Sequence, residues 1–200
     1  MIEIKFYWAH WVHQAVPVAT TSSGVYISIM DAAITITPAT GPSDMALMRE
    51  LFREYRAGVG DCHCFDGFET EIADLPGRYR PPHGTLLIAR DGEQTAGGVA
   101  LAAIHMEPSD VDAPDADADM DIEMKRLYVR PPWRGNGLGR HLTERVIDMA
   151  QSRGQRWLYL DTLPAMIEAR RLYTALGFVQ CPPFSPAPTP GAIYMRLDLS

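Results

Sequence analysis

The 200-residue sequence has few cysteines and lacks a long apolar run. Three cysteines are too few, and odd in number, for a disulfide framework, so we predict a reducing, cytoplasmic environment. The longest run of small and apolar residues, 96–104, covers nine residues, whereas a membrane-spanning helix needs about 20. Near the N-terminus Glu3 precedes Lys5 and histidines interrupt the apolar stretch, which argues against a secretory signal. The sequence therefore predicts a soluble, cytoplasmic protein.

Positive charge is also scarce. The chain has 18 Lys and Arg against 25 Asp and Glu, which gives a formal net charge of −7. This balance opposes binding to a phosphate backbone and mildly favours cationic partners. We therefore expect no nucleic-acid partner and no membrane partner.

Regular patterning is missing from the first 30 residues, where the apolar positions follow a period of neither 2 nor 3.6. We treat 1–30 as an N-terminal extension and 31–200 as one domain. An added strand at 25–29 is an alternative that the pattern leaves open. No functional site is predicted in this extension.

From residue 33 onward, apolar periods of strand and helix type alternate, which predicts an α/β class with a mixed sheet. Ser43 is the predicted N-cap of the first helix. The predicted helices are 43–55, a segment within 65–75, 138–153 and 165–176, and the predicted strands are 33–36, 85–90, 94–105, 121–130, 156–162, 178–181 and 192–199.

A glycine-rich turn at 134–139 opens the helix that begins at Leu138. Glycines let the backbone approach a ligand, and the free amides and dipole of a helix N-terminus favour anions, so this turn predicts a pyrophosphate cradle. A Walker loop would need Lys and Ser or Thr where Arg140 and His141 stand. The dinucleotide fingerprint would need glycine in place of Arg140, so neither ATP nor NAD is indicated.

The pattern Arg-x-x-Gly-x-Gly at 134–139 resembles the acetyl-CoA loop of the GNAT N-acetyltransferase superfamily. A second pattern, Ala169-x-x-Leu-Tyr173-x-x-x-Gly-Phe178, resembles the next motif of that superfamily. One predicted helix and one predicted strand separate the two, as the superfamily's architecture requires. The resemblance covers residues 33–199 and is tightest over 121–178.

The resemblance implies a mostly antiparallel central sheet with flanking helices, in which two central parallel strands, 121–130 and 156–162, splay apart. Acetyl-CoA would be the co-substrate, with its thioester in the gap between these strands and its pantetheine pairing with the backbone near Leu127 and Val129. The residues implied in holding the pyrophosphate are Arg134, Gly135, Asn136, Gly137, Leu138, Gly139 and Arg140.

Two residues are candidates for the proton transfers. The resemblance implies that Tyr173 is the general acid that protonates the departing thiolate, and helical spacing offers core packing as its alternative role. An ammonium has no lone pair, so amine acetylation also needs a proton acceptor. Glu123 is the candidate base, with an ion pair to Lys125 as an equal alternative.

Six other residues have weaker interpretations. Met166 stands where many superfamily members have an asparagine that touches the cofactor. Asp161 and Thr162 could touch substrate, but we predict that they cap the following helix. Cys62-His63-Cys64 lacks the spacing and fourth ligand of a structural zinc site, and no metal is expected.

The sequence therefore predicts a GNAT-type N-acetyltransferase. It would move an acetyl group from acetyl-CoA to a primary amine of a small molecule or peptide, by direct transfer in a ternary complex. The alternative is a noncatalytic acyl-CoA-binding or regulatory domain. The acceptor's identity and formation of a homodimer through the last strands stay open.

Overall fold

One eight-stranded sheet organises the chain, which a computed structural model describes over residues 27–29, 32–60, 62–104, 121–185 and 188–200. Its strands are β1 (Ile27–Ile29), β2 (Ala32–Pro38), β3 (Thr85–Asp91), β4 (Gln94–Ala103), β5 (Ile122–Val129), β6 (Trp157–Thr162), β7 (Val179–Gln180) and β8 (Ile193–Asp198). Its helices are α1 (Gly41–Val59), α2 (Phe68–Ala73), α3 (Leu138–Ser152) and α4 (Ile167–Ala175). Short 3₁₀ turns cover His63–Phe65, Gly77–Tyr79 and Pro131–Trp133.

The strand order is β1-β2-β3-β4-β5-β6-β8-β7, and every pair is antiparallel except β5 with β6. The predicted fold class is therefore confirmed. β5 and β6 pair only at Ile122 with Leu158 and at Glu123 with Tyr159. Beyond these two pairs the strands separate, which opens a gap at their carboxyl halves.

Each face of the sheet has its own hydrophobic core. On one face α3 and α4 bury residues such as Leu142 and Tyr173 against β5 and β6. On the other face α1 and α2 bury Phe52 and Ile72 against β3 and β4. Helices therefore flank the sheet on both sides, as the resemblance implied.

Several predicted boundaries shift in the structure. α1 begins at Gly41 rather than after Ser43, with Thr40 at the N-cap position. Pro42 tolerates an early helical position because its missing N–H has no intrahelical acceptor there. The predicted N-cap at Ser43 is therefore wrong, and among the described residues no side chain caps the first amides of α1. Instead the Asp44 carboxylate, in the first turn, accepts a 2.7 Å hydrogen bond from the Thr40 amide.

The predicted N-terminal extension is only partly described. Residues 27–29 form β1 and pair with β2, which agrees with the alternative of an added strand. Residues 1–26 lie outside the described part of the chain, as do residues 105–120 between β4 and β5. Within the described ranges, no helix is long and apolar enough to cross a lipid bilayer.

Close contacts with neighbouring strands explain why two positions of β4 are glycine. A β-carbon on Gly97 would lie 2.5 Å from the Tyr128 carbonyl oxygen, and one on Gly98 would lie 2.9 Å from the Leu87 oxygen. Opposite them, β5 has a bulge, because the register passes from Gly98–Tyr128 to Ala100–Lys125. Within that bulge Arg126 adopts a positive φ of 57°.

Candidate active site

The glycine-rich turn leads directly into α3. Gly135 and Gly137 have φ values of 79° and 81°, a conformation that side chains with a β-carbon rarely adopt. His141 donates its amide to the Gly137 carbonyl at 3.1 Å, which closes the first hydrogen bond of the helix. The amides of residues 138–140 precede that bond and have no intrahelical acceptor, so the turn has the donors that an anion needs.

The two arginines predicted at the cradle already have protein partners. Arg134 Nε donates to the Val129 carbonyl at 2.7 Å, and its guanidinium lies 5.4 Å from the centre of the Tyr128 ring. Arg140 forms a 3.4 Å ion pair with Glu144. The Val129 carbonyl, at which the resemblance implies pairing with pantetheine, thus already accepts one side-chain hydrogen bond.

Trp133 stabilises the short segment that precedes the glycine-rich turn. Its indole N–H donates to the Asp91 carboxylate at 3.0 Å, and its ring packs against the α3 side of the core. The hydrogen bond and the packing together anchor the loop that precedes the turn.

The gap between β5 and β6 contains a cavity of about 100 Å³. Ligand pockets that enclose whole molecules are usually about 300–1,000 Å³, so this cavity has room for only part of a ligand. It is lined by Tyr55, Cys64, Met124, Lys125, Arg126, Leu127, Asp161, Thr162, Leu163, Met166, Ala169, Tyr173 and Thr189.

Tyr173 lines this cavity from α4 and is 6% exposed. Its ring packs 5.8 Å from that of Phe178. Burial raises the pKa of the Tyr173 phenol, and the nearby Tyr55 and Asp161 raise it further. The phenol is therefore protonated at neutral pH and can act as a proton donor. Leu172, the preceding residue, lies 3.7 Å from the position of a β-carbon on Gly139, which connects the gap to the turn.

Glu123, the predicted base, lies outside the cavity lining and is 5% exposed. One carboxylate oxygen accepts from Arg78 Nη2 at 2.8 Å, and the other lies 3.2 Å from Lys125 Nζ. Lys125 also lies 3.4 Å from Asp161, so its ammonium bridges two carboxylates. The ion pair that we considered as the alternative role of Glu123 is thus present.

Our capping prediction for Asp161 and Thr162 is wrong. α4 begins at Ile167 after Met166, with no side-chain hydrogen bond at its cap. The Thr162 hydroxyl instead lies 3.5 Å from the Met166 sulfur, and the Asp161 carboxylate faces Lys125 in the gap. Both residues lie at the end of β6, and neither side chain accepts a hydrogen bond at the start of α4.

A buried ion pair between Arg126 and Glu71 lies beside the gap, on the side of α2. Arg126 Nε donates to Glu71 Oε1 at 3.0 Å and Nη2 contacts Oε2 at 2.5 Å, while the Tyr79 hydroxyl also donates to Oε1. The Arg126 guanidinium lies 5.0 Å from the centre of the Phe65 ring. Burial would raise the pKa of Glu71, but Arg126 and Tyr79 outweigh it and lower that pKa. Sequence reasoning missed this group because its members are far apart in the chain.

Cys62 and Cys64 form a disulfide, with their Cα atoms 5.2 Å apart. This differs from the reduced thiols that we expected, because the pairing is local and needs no framework of distant cysteines. Among the described residues, no group of three or more His, Cys, Asp or Glu side chains is arranged to hold a metal ion.

Comparison with known proteins identifies the class to which this fold and site belong. Residues 45–178 match the model of the acetyltransferase (GNAT) family. An uncharacterized N-acetyltransferase of Schizosaccharomyces pombe is 35% identical over 84% of this chain and 96% of its own length. A second uncharacterized N-acetyltransferase, from Dictyostelium discoideum, is 25% identical over 74% of this chain and 92% of its own length.

Solved structures share the fold. An acetyltransferase of Streptococcus agalactiae superposes with a TM-score of 0.63 at 19% identity, covering 82% of this chain and 98% of its own. An acetyltransferase from Salmonella typhimurium, solved with its cofactor acetyl-CoA, gives a TM-score of 0.57 at 20% identity over 84% and 94% of the two chains. The chain therefore belongs to the GNAT family and is an acetyltransferase enzyme.

Proposed function

We propose that this enzyme transfers the acetyl group of acetyl-CoA directly to a primary amine of a small molecule or peptide, in a ternary complex. The proposal rests on the observation that the turn at the start of α3 lies next to the gap that Tyr173 lines, because a β-carbon on Gly139 would lie 3.7 Å from the side chain of Leu172. A helix N-terminus suits a pyrophosphate. A narrow gap between splayed strands suits the thioester.

On the cofactor side, the backbone amides of the cradle would hold the pyrophosphate. The proposed contacts are Arg134, Gly135, Asn136, Gly137, Leu138, Gly139 and Arg140, with pantetheine along the unpaired edge of β5 at Leu127 and Val129. That edge is open because the pairing of β5 with β6 ends at Glu123. The solved acetyl-CoA complex of a structural neighbour supports acetyl-CoA as the co-substrate.

On the chemical side, Tyr173 would protonate the departing thiolate. Glu123 and Asp161 both pair with Lys125, and one of these two carboxylates would take the proton that the acceptor amine must lose. The sequence predicts Glu123 for that role. Amine attack on the thioester carbonyl needs no covalent enzyme intermediate, so neither Cys64 nor a metal has a step in this reaction.

The proposal is tested by incubating the purified protein with acetyl-CoA and a panel of primary amines while the release of free thiol is measured. We expect amine-dependent release with at least one acceptor. The alternative, a noncatalytic acyl-CoA-binding domain, predicts acetyl-CoA binding by calorimetry with no release on any amine. A protein that does not bind acetyl-CoA at millimolar concentration would contradict both.

The cytoplasmic location and a homodimer formed through the last strands also stay predictions. Persistence of the Cys62–Cys64 disulfide in protein isolated under thiol-blocking conditions would argue against a reducing compartment. The mass in solution, measured by light scattering, decides between monomer and dimer.

A further inference from the structure

A row of three charged side chains runs from the interior of the sheet into the gap. Glu123 is the inner member, and both of its oxygens contact cations, Arg78 at 2.8 Å and Lys125 at 3.2 Å. Lys125 is the middle member, and it lies 3.4 Å from Asp161. Glu123 is therefore committed to structural ion pairs, whereas Asp161 is the end of the row that reaches the cavity.

Asp161 is the only carboxylate among the described residues that line the cavity containing Tyr173. One of its oxygens faces Lys125, the only cation with which it pairs in the described part of the chain. Its side chain is 19% exposed, so it is partly desolvated yet accessible from the gap. Such a carboxylate forms strong charge-assisted hydrogen bonds with an ammonium group.

We propose, on the basis of the proposed function above, that Asp161 binds the acceptor as a primary alkylammonium and takes its first proton. Glu123 is then a positioning residue, which holds Lys125 and so fixes the direction of the Asp161 carboxylate. The substrate class follows from this geometry. Aliphatic amines are ammonium ions at neutral pH and must lose a proton before they can attack, whereas aromatic amines are already neutral and lose a proton only after the attack.

The proton balance of the reaction is complete with these residues. The ammonium gives one proton to Asp161, and the freed lone pair attacks the thioester carbonyl carbon. The carbon–nitrogen bond forms and the carbon–sulfur bond breaks. The thiolate takes the phenol proton of Tyr173, which regains a proton from the acylated nitrogen. Asp161 finally releases its proton to solvent.

The charged and titratable groups that face Asp161 keep their charge state around neutral pH. Burial disfavours the charge on Lys125, but Glu123 and Asp161 outweigh it and raise the pKa of that ammonium. Burial raises the pKa of Tyr55, on α1, and of Tyr173, on α4, so both phenols are neutral. Arg126 lies in the same lining and is paired with Glu71. These neighbours therefore contribute no titration of their own around neutral pH, and the pH profile there reports mainly on the protonation of the amine substrate.

The test compares Asp161→Asn with wild type on an aliphatic and an aromatic primary amine, from pH 6 to 10. For the aliphatic amine at neutral pH we expect kcat/KM to fall by about 10²-fold, chiefly through KM, and to recover as pH rises and the amine loses its proton unaided. Turnover of the aromatic amine and the Kd for acetyl-CoA should change less than about threefold. Asp161→Glu should restore part of the loss.

Two further variants complete the design. Asp148→Asn removes an exposed carboxylate from α3 and should leave all rates unchanged. Glu123→Gln should lower kcat/KM less than Asp161→Asn does, without the recovery at alkaline pH.

Wild-type kinetics in Asp161→Asn, or equal losses for both amines, would overturn the inference. A larger loss in Glu123→Gln, with the alkaline recovery, would also overturn it and return the role of base to Glu123. Acetyl-CoA binding by the wild type without turnover of any amine would contradict the proposed function itself.

Discussion

The cofactor side and the acceptor side of the site are built in different ways. The cradle lies within seven consecutive residues, 134–140, at the start of one helix. The gap draws its lining from α1, the turn before α2, β5, β6, α4 and the segment before β8. In the function proposed above, local backbone geometry would bind the acetyl-CoA pyrophosphate, and long-range packing would shape the site for the acceptor amine.

Gly137→Trp tests the local side and has the largest expected effect. The backbone here has a φ of 81°, and a β-carbon would already lie 3.6 Å from His141, so an indole would cover the amides of the turn. We expect calorimetry to show no acetyl-CoA binding. Gly154→Trp is the matched control, since this exposed glycine ends the same helical segment with a φ of 74° and open space around it.

Tyr173→Phe tests the residue that lies between the proposed cofactor side and the proposed acceptor side of the site. Loss of the phenolic proton should lower kcat by about 10²-fold and leave the Kd for acetyl-CoA unchanged. Because the pKa of this phenol is raised above its usual value of about 10, chiefly by burial, wild-type activity should show no alkaline loss from Tyr173 below pH 9. Tyr159→Phe, on a buried tyrosine outside the cavity lining, should keep kcat near wild type. Unchanged turnover in Tyr173→Phe would remove the acid assignment.

Glu71→Gln tests how far the acceptor side depends on distant packing. It leaves the buried Arg126 without its counter-charge, and breaking such a pair costs about 3–5 kcal/mol of unfolding free energy. The pKa of Glu71 is lowered in the folded state, so its contribution is present at neutral pH and is lost as pH falls through that lowered pKa. Urea unfolding at pH 7 and pH 3.5 should therefore show a smaller difference between variant and wild type at acid pH. Equal differences at both pH values would contradict this assignment.

Arg140→Ala has the smallest expected effect. The Arg140 guanidinium is half-exposed and shared with Glu144, so its attraction for a pyrophosphate is screened. We expect acetyl-CoA affinity to fall about threefold at low salt, consistent with about 0.3–1 kcal/mol for a charge near a helix end, and less at high salt. Arg145→Ala, on an exposed position of the same helix, should change affinity by less than that.

The difference between local and long-range structure also explains which features could be predicted from the sequence. The glycine spacing at 134–139 and the tyrosine before Gly177-Phe178 are local signals, and they predicted the turn, α3, α4 and the order of the parallel strands. The ion pair of Arg126 with Glu71 spans 55 positions and leaves no periodic signal. The position of Asp161 was misjudged because a residue that ends a strand before a helix resembles a cap. Only the positions of β5 and β6 in the folded structure show that Asp161 faces the gap.

The short ladder between β5 and β6 has a consequence for the whole molecule. Within the described residues, only two residue pairs join the first five strands to the last three by backbone pairing. Without ligand, the two groups of strands are expected to open relative to each other at a lower free energy than global unfolding. A thioester lying across both groups would stabilise them together. Saturation with acetyl-CoA should therefore slow amide hydrogen exchange on β6 and β8 as well as on the strands that precede the turn.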